Sequence, residues 1–93
     1  MYAPVVEITT SGRGGQIIYR EGAHAITFDW EFAMSPALAL VYGPRLADWD
    51  ATYSWAAGRQ ASVYDFVGKE IVRLQAPDRR FEYDLEEGTL TIV

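Results

Sequence analysis

The sequence predicts a two-layer α+β domain, in which a mainly antiparallel sheet of about six strands carries one helix packed on one face. Three observations lead to this prediction: a stretch in which apolar and polar residues alternate strictly, a single stretch with helical periodicity, and the element order β-β-β-β-α-β-β. The chain has 93 residues, of which 49% are apolar. This length and composition are typical of one hydrophobic core, so we expect a single domain over residues 1–93.

The first two strands are predicted from short runs of β-branched residues. The first spans residues 5–10 and the second spans residues 16–21, "QIIYRE". The sequence "SGRGG" lies between them. A glycine-rich loop binds phosphate when a helix follows it, but here the β-branched Ile17 and Ile18 follow at once. We therefore interpret "SGRGG" as a hairpin turn.

The third strand has the clearest pattern, in the sequence "HAITFDWEFAM" at residues 24–34. Its alternation predicts one buried face and one solvent face. The predicted buried residues are Ile26, Phe28, Trp30, Phe32 and Met34. Asp29 and Glu31 then share the solvent face, about 7 Å apart along the strand. No neighbouring residue indicates an apolar environment that would shift their pKa values, so we interpret them as solvated surface residues rather than a catalytic pair.

The fourth strand, "ALALVYG" at residues 37–43, is apolar on both faces, which predicts a central position in the sheet. The last two strands are predicted as a hairpin within residues 80–93, with Glu87 and Gly88 in the turn.

One helix is predicted between these strands, with Ser62 as its N-cap and Asp65 as the partner in an imperfect capping box. It ends near Gln75, because Pro77 follows. We expect Gly68 to let the helix approach the sheet closely. The predicted buried stripe consists of Val63, Phe66, Val67, Ile71 and Leu74.

Composition excludes several classes of function. The formal net charge is −5, which argues against nucleic-acid binding because phosphate contacts need Lys and Arg. Seven Arg against one Lys, with twelve Ala, is typical of GC-rich bacterial genes. The chain has no cysteine, so it has neither disulfides nor thiolate metal ligands. It has no signal-peptide pattern and no stretch of 18 apolar residues, so we expect a cytoplasmic protein without membrane contact.

Catalytic and metal sites are not indicated either, and we expect no cofactor. A Ser–His–acid triad needs a histidine, and the only one is His24, which opens the third strand and which we expect to be partly buried. The sequence "DWDATYS" places Asp48 and Asp50 at calcium-loop spacing. However, Tyr53 replaces the required glycine and Arg59 replaces the required glutamate of that loop.

Residues 45–60, "RLADWDATYSWAAGRQ", show no strand or helix period although they contain two of the three tryptophans. Two interpretations stay open. In the first, Trp49 and Trp55 cover one end of the core, and Asp48 or Asp50 caps a short helical turn at "DAT". In the second, at least one tryptophan stays partly exposed beside acidic residues and Arg59, as is typical of binding hot spots.

We therefore expect a small non-enzymatic protein-binding or regulatory domain, of the inhibitor, immunity or adaptor kind, that uses the aromatic and acidic loop at residues 45–59. Its partner would be another protein, of basic character. The alternative is a small-molecule-binding domain or small enzyme with its site between this loop and the sheet, where Asp50, Arg59 and His24 would be the polar groups. A homodimer joined through sheet edges or through the face of the long third strand, with no separate ligand, is a third alternative. The candidate binding residues are Asp48, Trp49, Asp50, Tyr53, Trp55 and Arg59.

Overall fold

A computed structural model describes residues 3–93 and confirms the predicted two-layer α+β fold. Its elements are β1 (Val5–Ser11), β2 (Gly14–Glu21), β3 (His24–Phe32), β4 (Ala39–Tyr42), α1 (Leu46–Thr52), a 3₁₀ turn (Ser54–Ala56), α2 (Gln60–Gln75), β5 (Phe81–Asp84) and β6 (Thr89–Ile92). The six strands form one fully antiparallel sheet in the order β1-β2-β3-β4-β6-β5. The long helix α2 packs on one face of the sheet.

The hydrophobic core lies between α2 and the face of the sheet that α2 covers. Alternate residues of each strand point to this face, as the period of two requires. The aromatic contacts across the two layers are edge-to-face: Phe28 meets Tyr64 at a centroid distance of 5.4 Å, and Tyr19 meets Phe66 at 5.8 Å. Complete burial of one such side chain stabilises the fold by about 1.5–3 kcal/mol. The fully buried residues of this core include Ile17, Ile26, Phe28, Val41, Val63, Tyr64, Val67, Leu90 and Ile92.

Helix α2 differs from the prediction at its start. It begins at Gln60 rather than after Ser62, and the hydroxyl of Ser62 donates to the carbonyl of Arg59 instead of capping the helix. Asp65 pairs with Lys69 at 2.8 Å, so it has no capping role. The helix ends at Gln75 as predicted, but Leu74 is 45% exposed because it lies beyond the edge of the buried stripe.

The predicted close approach of Gly68 to the sheet is confirmed. A β-carbon at this position would lie 2.6 Å from the Cγ of Phe81 on β5. The ring of Phe81 thus occupies the space that a side chain on the helix would need.

The end of β3 also differs from the prediction. Ile26 and Phe28 are buried and Trp30 is partly buried, but the strand ends at Phe32, which is exposed. Met34 lies beyond the strand in a loop and is 88% exposed. The helix layer therefore does not extend over the sheet at this end. An apolar cleft of about 150 Å³ opens there, lined by Ile8, Thr10, Ile17, Trp30, Phe32, Leu38, Ala39, Val41, Ile71, Gln75, Ala76 and Ile92.

The opposite face of the sheet has no layer packed on it within residues 3–93, and none of its side chains is buried. Asp29 and Glu31 lie on this face and are exposed, as predicted. None of the described helices is long and apolar enough to cross a bilayer.

Candidate functional site

Residues 45–59 are more regular than the sequence indicates. They contain the seven-residue helix α1, which includes the predicted turn at "DAT", and a 3₁₀ turn. The helix exists because it buries one large ring. Trp49 is 1% exposed, and its indole Nε1–H donates to the carbonyl of Ala56 at 2.8 Å. Trp49 thus fastens α1 to the 3₁₀ turn and closes the end of the core opposite the apolar cleft.

Two further polar contacts hold this segment in place. The backbone N–H of Gly58 donates to the Oδ1 of Asp50 at 2.9 Å, across a turn in which Gly58 has φ +73°. A φ in this range favours glycine. The side-chain amide of Gln60 donates to the carbonyls of Pro44 and Leu85, at 3.2 and 2.9 Å. The segment is therefore tied to the start of α2 and to the β5–β6 turn.

Trp55 lies in the 3₁₀ turn and remains partly exposed. The imidazole of His24 stacks on its indole, with centroids 4.5 Å apart and ring planes 11° apart. The guanidinium carbon of Arg59 lies 5.9 Å from the indole centroid, at the outer limit of a cation–π contact. The indole is thus held in one orientation while part of its surface faces solvent.

Arg59 is itself held by Glu21 at the end of β2. Its Nη1 and Nη2 donate to the two carboxylate oxygens of Glu21 at 2.8–3.1 Å, which is the bidentate geometry that fixes both side chains. Hydrogen bonds from Arg59 lower the pKa of Glu21 below its ordinary value. We call Glu21, His24, Trp55 and Arg59 together the Trp55 surface.

The six predicted binding residues have different environments. Trp49 belongs to the core and presents no contact surface, because its ring is almost completely enclosed. Asp48 is exposed in the first turn of α1, whereas the carboxylate of Asp50 is engaged by Gly58. Tyr53 is partly buried against Trp49, with centroids 5.5 Å apart. Only Trp55 and Arg59 come together at the surface.

Sequence reasoning missed Glu21 as a member of the Trp55 surface and considered His24 only for the small-molecule alternative. Glu21 carries no local signal, because its partner Arg59 lies 38 residues away along the chain. His24 was expected to be partly buried, but it is exposed and stacks on Trp55. It lies on the helix-covered side of β3 but at the strand's first residue, where that cover ends.

The chemistry available to this surface is limited. In residues 3–93, no three His, Asp or Glu side chains are close enough together to hold a metal ion. Tyr64 has a perturbed pKa, which burial raises to about 12, but its hydroxyl donates to the carbonyl of Gly88 in the interior. Arg59, Asp50 and His24, the polar groups of the small-molecule alternative, are each engaged with a different protein group.

The apolar cleft lies at the other end of the sheet and is not lined by any of these three residues. Among the described residues, those that bring polar atoms to its lining are Thr10, Gln75 and Trp30, through its indole. The Nε1–H of Trp30 already donates to the carbonyl of Thr9. No protein-family model, curated protein sequence or solved structure matches this chain, so its function has to be inferred from the surface chemistry of the domain itself.

Proposed function

We propose that this protein is a non-enzymatic protein-binding domain, of the inhibitor, immunity or adaptor kind, and that it acts in the cytoplasm. The observation that supports the proposal is the partly exposed indole of Trp55, which His24 and Arg59 hold in a fixed orientation. Trp and Arg are the residues most enriched at binding hot spots.

Pre-organisation favours binding because a side chain that is already ordered loses little entropy in the complex. The Trp55 indole is ordered by stacking on β3, and the Arg59 guanidinium is ordered by its bidentate pair with Glu21. Both groups rest on the ends of regular strands, which gives the surface a rigid base. Asp48 is exposed on α1 of the same segment and supplies a negative charge for a cationic group of the partner.

The experiment is affinity capture from the native cell with the wild-type protein and the Trp55→Ser variant. The matched control is Leu46→Ser, since Leu46 is an apolar residue that is 52% exposed on α1. We expect one specific partner to be captured by the wild type and the control but lost from the Trp55 variant. With that partner purified, affinity should fall at least tenfold for Trp55→Ser and less than twofold for Leu46→Ser.

Circular dichroism and thermal unfolding of each variant establish that the fold is retained. If a folded Trp55→Ser variant binds the same partner with unchanged affinity, the Trp55 surface is not the contact site. If no protein is retained by the wild type under any salt condition, the protein-binding proposal itself is wrong.

A further inference from the structure

Most of the net charge of the protein lies on the uncovered face of the sheet. Among the residues of the six strands, the register places on this face five carboxylates, those of Glu7, Asp29, Glu31, Glu82 and Asp84, and one cationic group, that of Arg20. These strand residues carry a formal charge of −4, out of −5 for the whole chain. Arg80, immediately before β5, exchanges backbone hydrogen bonds with Val93 and so continues the β5–β6 pairing at one end of this face. The rest of the chain carries eight acidic and seven basic residues and is nearly neutral.

Four of these carboxylates form two columns. Asp29 and Glu31 lie on β3, and Asp84 and Glu82 lie on β5, three strands further across the sheet with β4 and β6 between them. The register aligns them in two rows. One row is Asp29, Tyr42, Thr89 and Asp84, and the other is Glu31, Leu40, Thr91 and Glu82. From general strand spacings, the columns are about 14 Å apart across the sheet, and the two carboxylates of a column are about 7 Å apart along it.

The strip between the columns is neutral and partly apolar. Tyr42 is 39% exposed, and its hydroxyl donates to the Oε1 of Glu31 at 2.7 Å. Leu40 is partly exposed beside it, and Thr89 and Thr91 continue the strip on β6. The strip thus offers apolar contact area flanked on both sides by negative charge.

The four column carboxylates have neutral hydrogen-bond donors but no salt-bridge partner within the described part of the chain: Tyr42 donates to Glu31, and the backbone N–H of Glu87 donates to Asp84. Arg20 pairs with Glu7 at 2.8 Å, on the side of the sheet towards β1. None of the salt bridges found in residues 3–93 involves Asp29, Glu31, Glu82 or Asp84. Like charges collected on one surface repel one another, and a cationic partner removes that repulsion and is attracted over a distance of about 10 Å at moderate salt.

The geometry points to a second docking surface, on which a basic amphipathic α-helix of another protein lies along the strip between the two carboxylate columns. A helix is 10–12 Å wide with its side chains, which fits columns about 14 Å apart. Residues four apart on a helix are about 6 Å apart, close to the carboxylate spacing within a column. Lys or Arg on both flanks of the helix would then meet the carboxylates, and its apolar stripe would cover Leu40 and Tyr42.

This surface differs from the Trp55 surface, and its test does not depend on the native partner. The probe is an 18-residue amphipathic helical peptide of Leu and Lys, titrated into the ¹⁵N-labelled protein. A peptide with Glu in place of every Lys is the control for non-specific apolar binding. We expect amide shifts on β3, β4, β5 and β6 with the Lys peptide, none with the Glu peptide, and weaker binding as salt is raised.

Two double variants with equal loss of charge separate a specific surface from general attraction to an acidic protein. Glu31→Gln with Glu82→Gln removes one carboxylate from each column, while the Gln at position 31 can still accept from Tyr42. The control, Asp78→Asn with Glu86→Gln, removes two exposed carboxylates that lie in turns outside the strands of this face. We expect the dissociation constant to rise at least tenfold in the first and less than twofold in the second.

Equal weakening by both double variants would overturn the inference, as would shifts located mainly on α2 or around Trp55. Absence of binding by the Lys peptide to the folded wild-type protein at low salt would overturn it as well. None of these results bears on Trp55→Ser, so failure here and failure of the proposed function are distinguishable.

Discussion

The imidazole of His24 lies flat against the indole of Trp55, at a centroid distance of 4.5 Å, and so joins the first residue of β3 to the 3₁₀ turn. Aromatic pairs of this kind contribute about 0.5–1.5 kcal/mol beyond the area they bury. We therefore expect His24→Ala and Trp55→Ala to show a coupling free energy in that range in a double-mutant cycle. Urea unfolding of the four proteins measures it. A coupling below about 0.3 kcal/mol would mean that the stacked geometry contributes nothing specific.

Trp49 and Trp55 should differ strongly in their contribution to stability. Trp49→Ala removes a fully enclosed ring and the donor to the Ala56 carbonyl, so we expect a loss of about 3–5 kcal/mol in the free energy of unfolding. Trp55→Ala removes a partly exposed ring, and we expect a loss of about 1–2 kcal/mol, within the usual range for single substitutions. Chemical denaturation with fluorescence detection measures both. Equal losses would place both rings in the core and remove Trp55 as a recognition residue.

Most of the sheet could be predicted because alternation along a strand is set by burial of one face. Ile26 and Phe28 are buried and Asp29 is exposed, as the pattern requires. The pattern does not say where a strand loses its cover, and for that reason Phe32 and Met34 were predicted to be buried. Helix α1 has no apolar period because Trp49 is the only residue of it that is buried. A helix that depends on one ring leaves no repeating signal.

The candidate site was less predictable than the fold, because it depends on pairings between distant residues. Arg59 and Trp55 were identified from residue type and local composition. Their partners Glu21 and His24 come from the β2–β3 hairpin, and nothing in the sequence indicates that the segment at residues 45–59 reaches that hairpin. The carboxylate columns depend on β5 lying beyond β6, a strand order that the hydrophobic pattern does not determine.

The effect of Gly68→Ala on the stability of the protein depends on which of two opposing contributions is larger. Alanine is favoured over glycine in a helix by about 1 kcal/mol, but here the added methyl group would collide with the ring of Phe81. Overpacking of this kind costs about 1–3 kcal/mol, so we expect Gly68→Ala to destabilise the protein. At the exposed position Ala61 on the same helix, the reverse substitution Ala61→Gly should also destabilise the protein, but there through helix propensity alone.

Thermal and urea unfolding of the variants test this comparison. The double variant Gly68→Ala with Phe81→Leu provides room for the methyl group, and we expect it to be less destabilised than the sum of the two single changes. A stabilised Gly68→Ala variant would show that the Phe81 ring moves aside without cost and that the close approach has no energetic role.

The ion pair of Glu21 and Arg59 predicts a dependence of stability on acidic pH. Arg59 lowers the pKa of Glu21 in the folded state below its unfolded value of about 4.5. A lowered folded-state pKa means that the stabilisation is present above pH 4.5 and is lost as the pH falls through the folded-state pKa. Both side chains are partly solvated, so we expect Glu21→Gln to cost at most about 1 kcal/mol at pH 7.

The measurement is the free energy of unfolding of the wild type and Glu21→Gln between pH 3 and 7. The difference between the two should be largest at pH 7 and should shrink below pH 4.5. Glu86→Gln, which removes an exposed carboxylate without a salt-bridge partner in residues 3–93, controls for the change in net charge. A difference that grows towards low pH would contradict the assigned ion pair.

Ionisation of Tyr64 should make the stability of the protein fall as the pH rises in the alkaline range. Burial raises the pKa of its hydroxyl from 10.0 to about 12 in the folded protein. The unfolded chain therefore ionises first, and the stabilisation is present below pH 10 and is lost as the pH rises towards 12. A pKa difference of this size between the folded and unfolded states corresponds to roughly 2–3 kcal/mol.

We expect Tyr64→Phe to be less stable than the wild type at pH 8, because the Gly88 carbonyl keeps the backbone N–H of Gly43 but loses the Tyr64 hydroxyl as its second donor. Tyr64→Phe should also lose less stability than the wild type between pH 10 and 12. Tyr83→Phe, at a position 41% exposed, should follow the wild-type alkaline profile. Urea unfolding across this pH range measures all three proteins, and parallel profiles for Tyr64→Phe and the wild type would exclude Tyr64 as the source of alkaline instability.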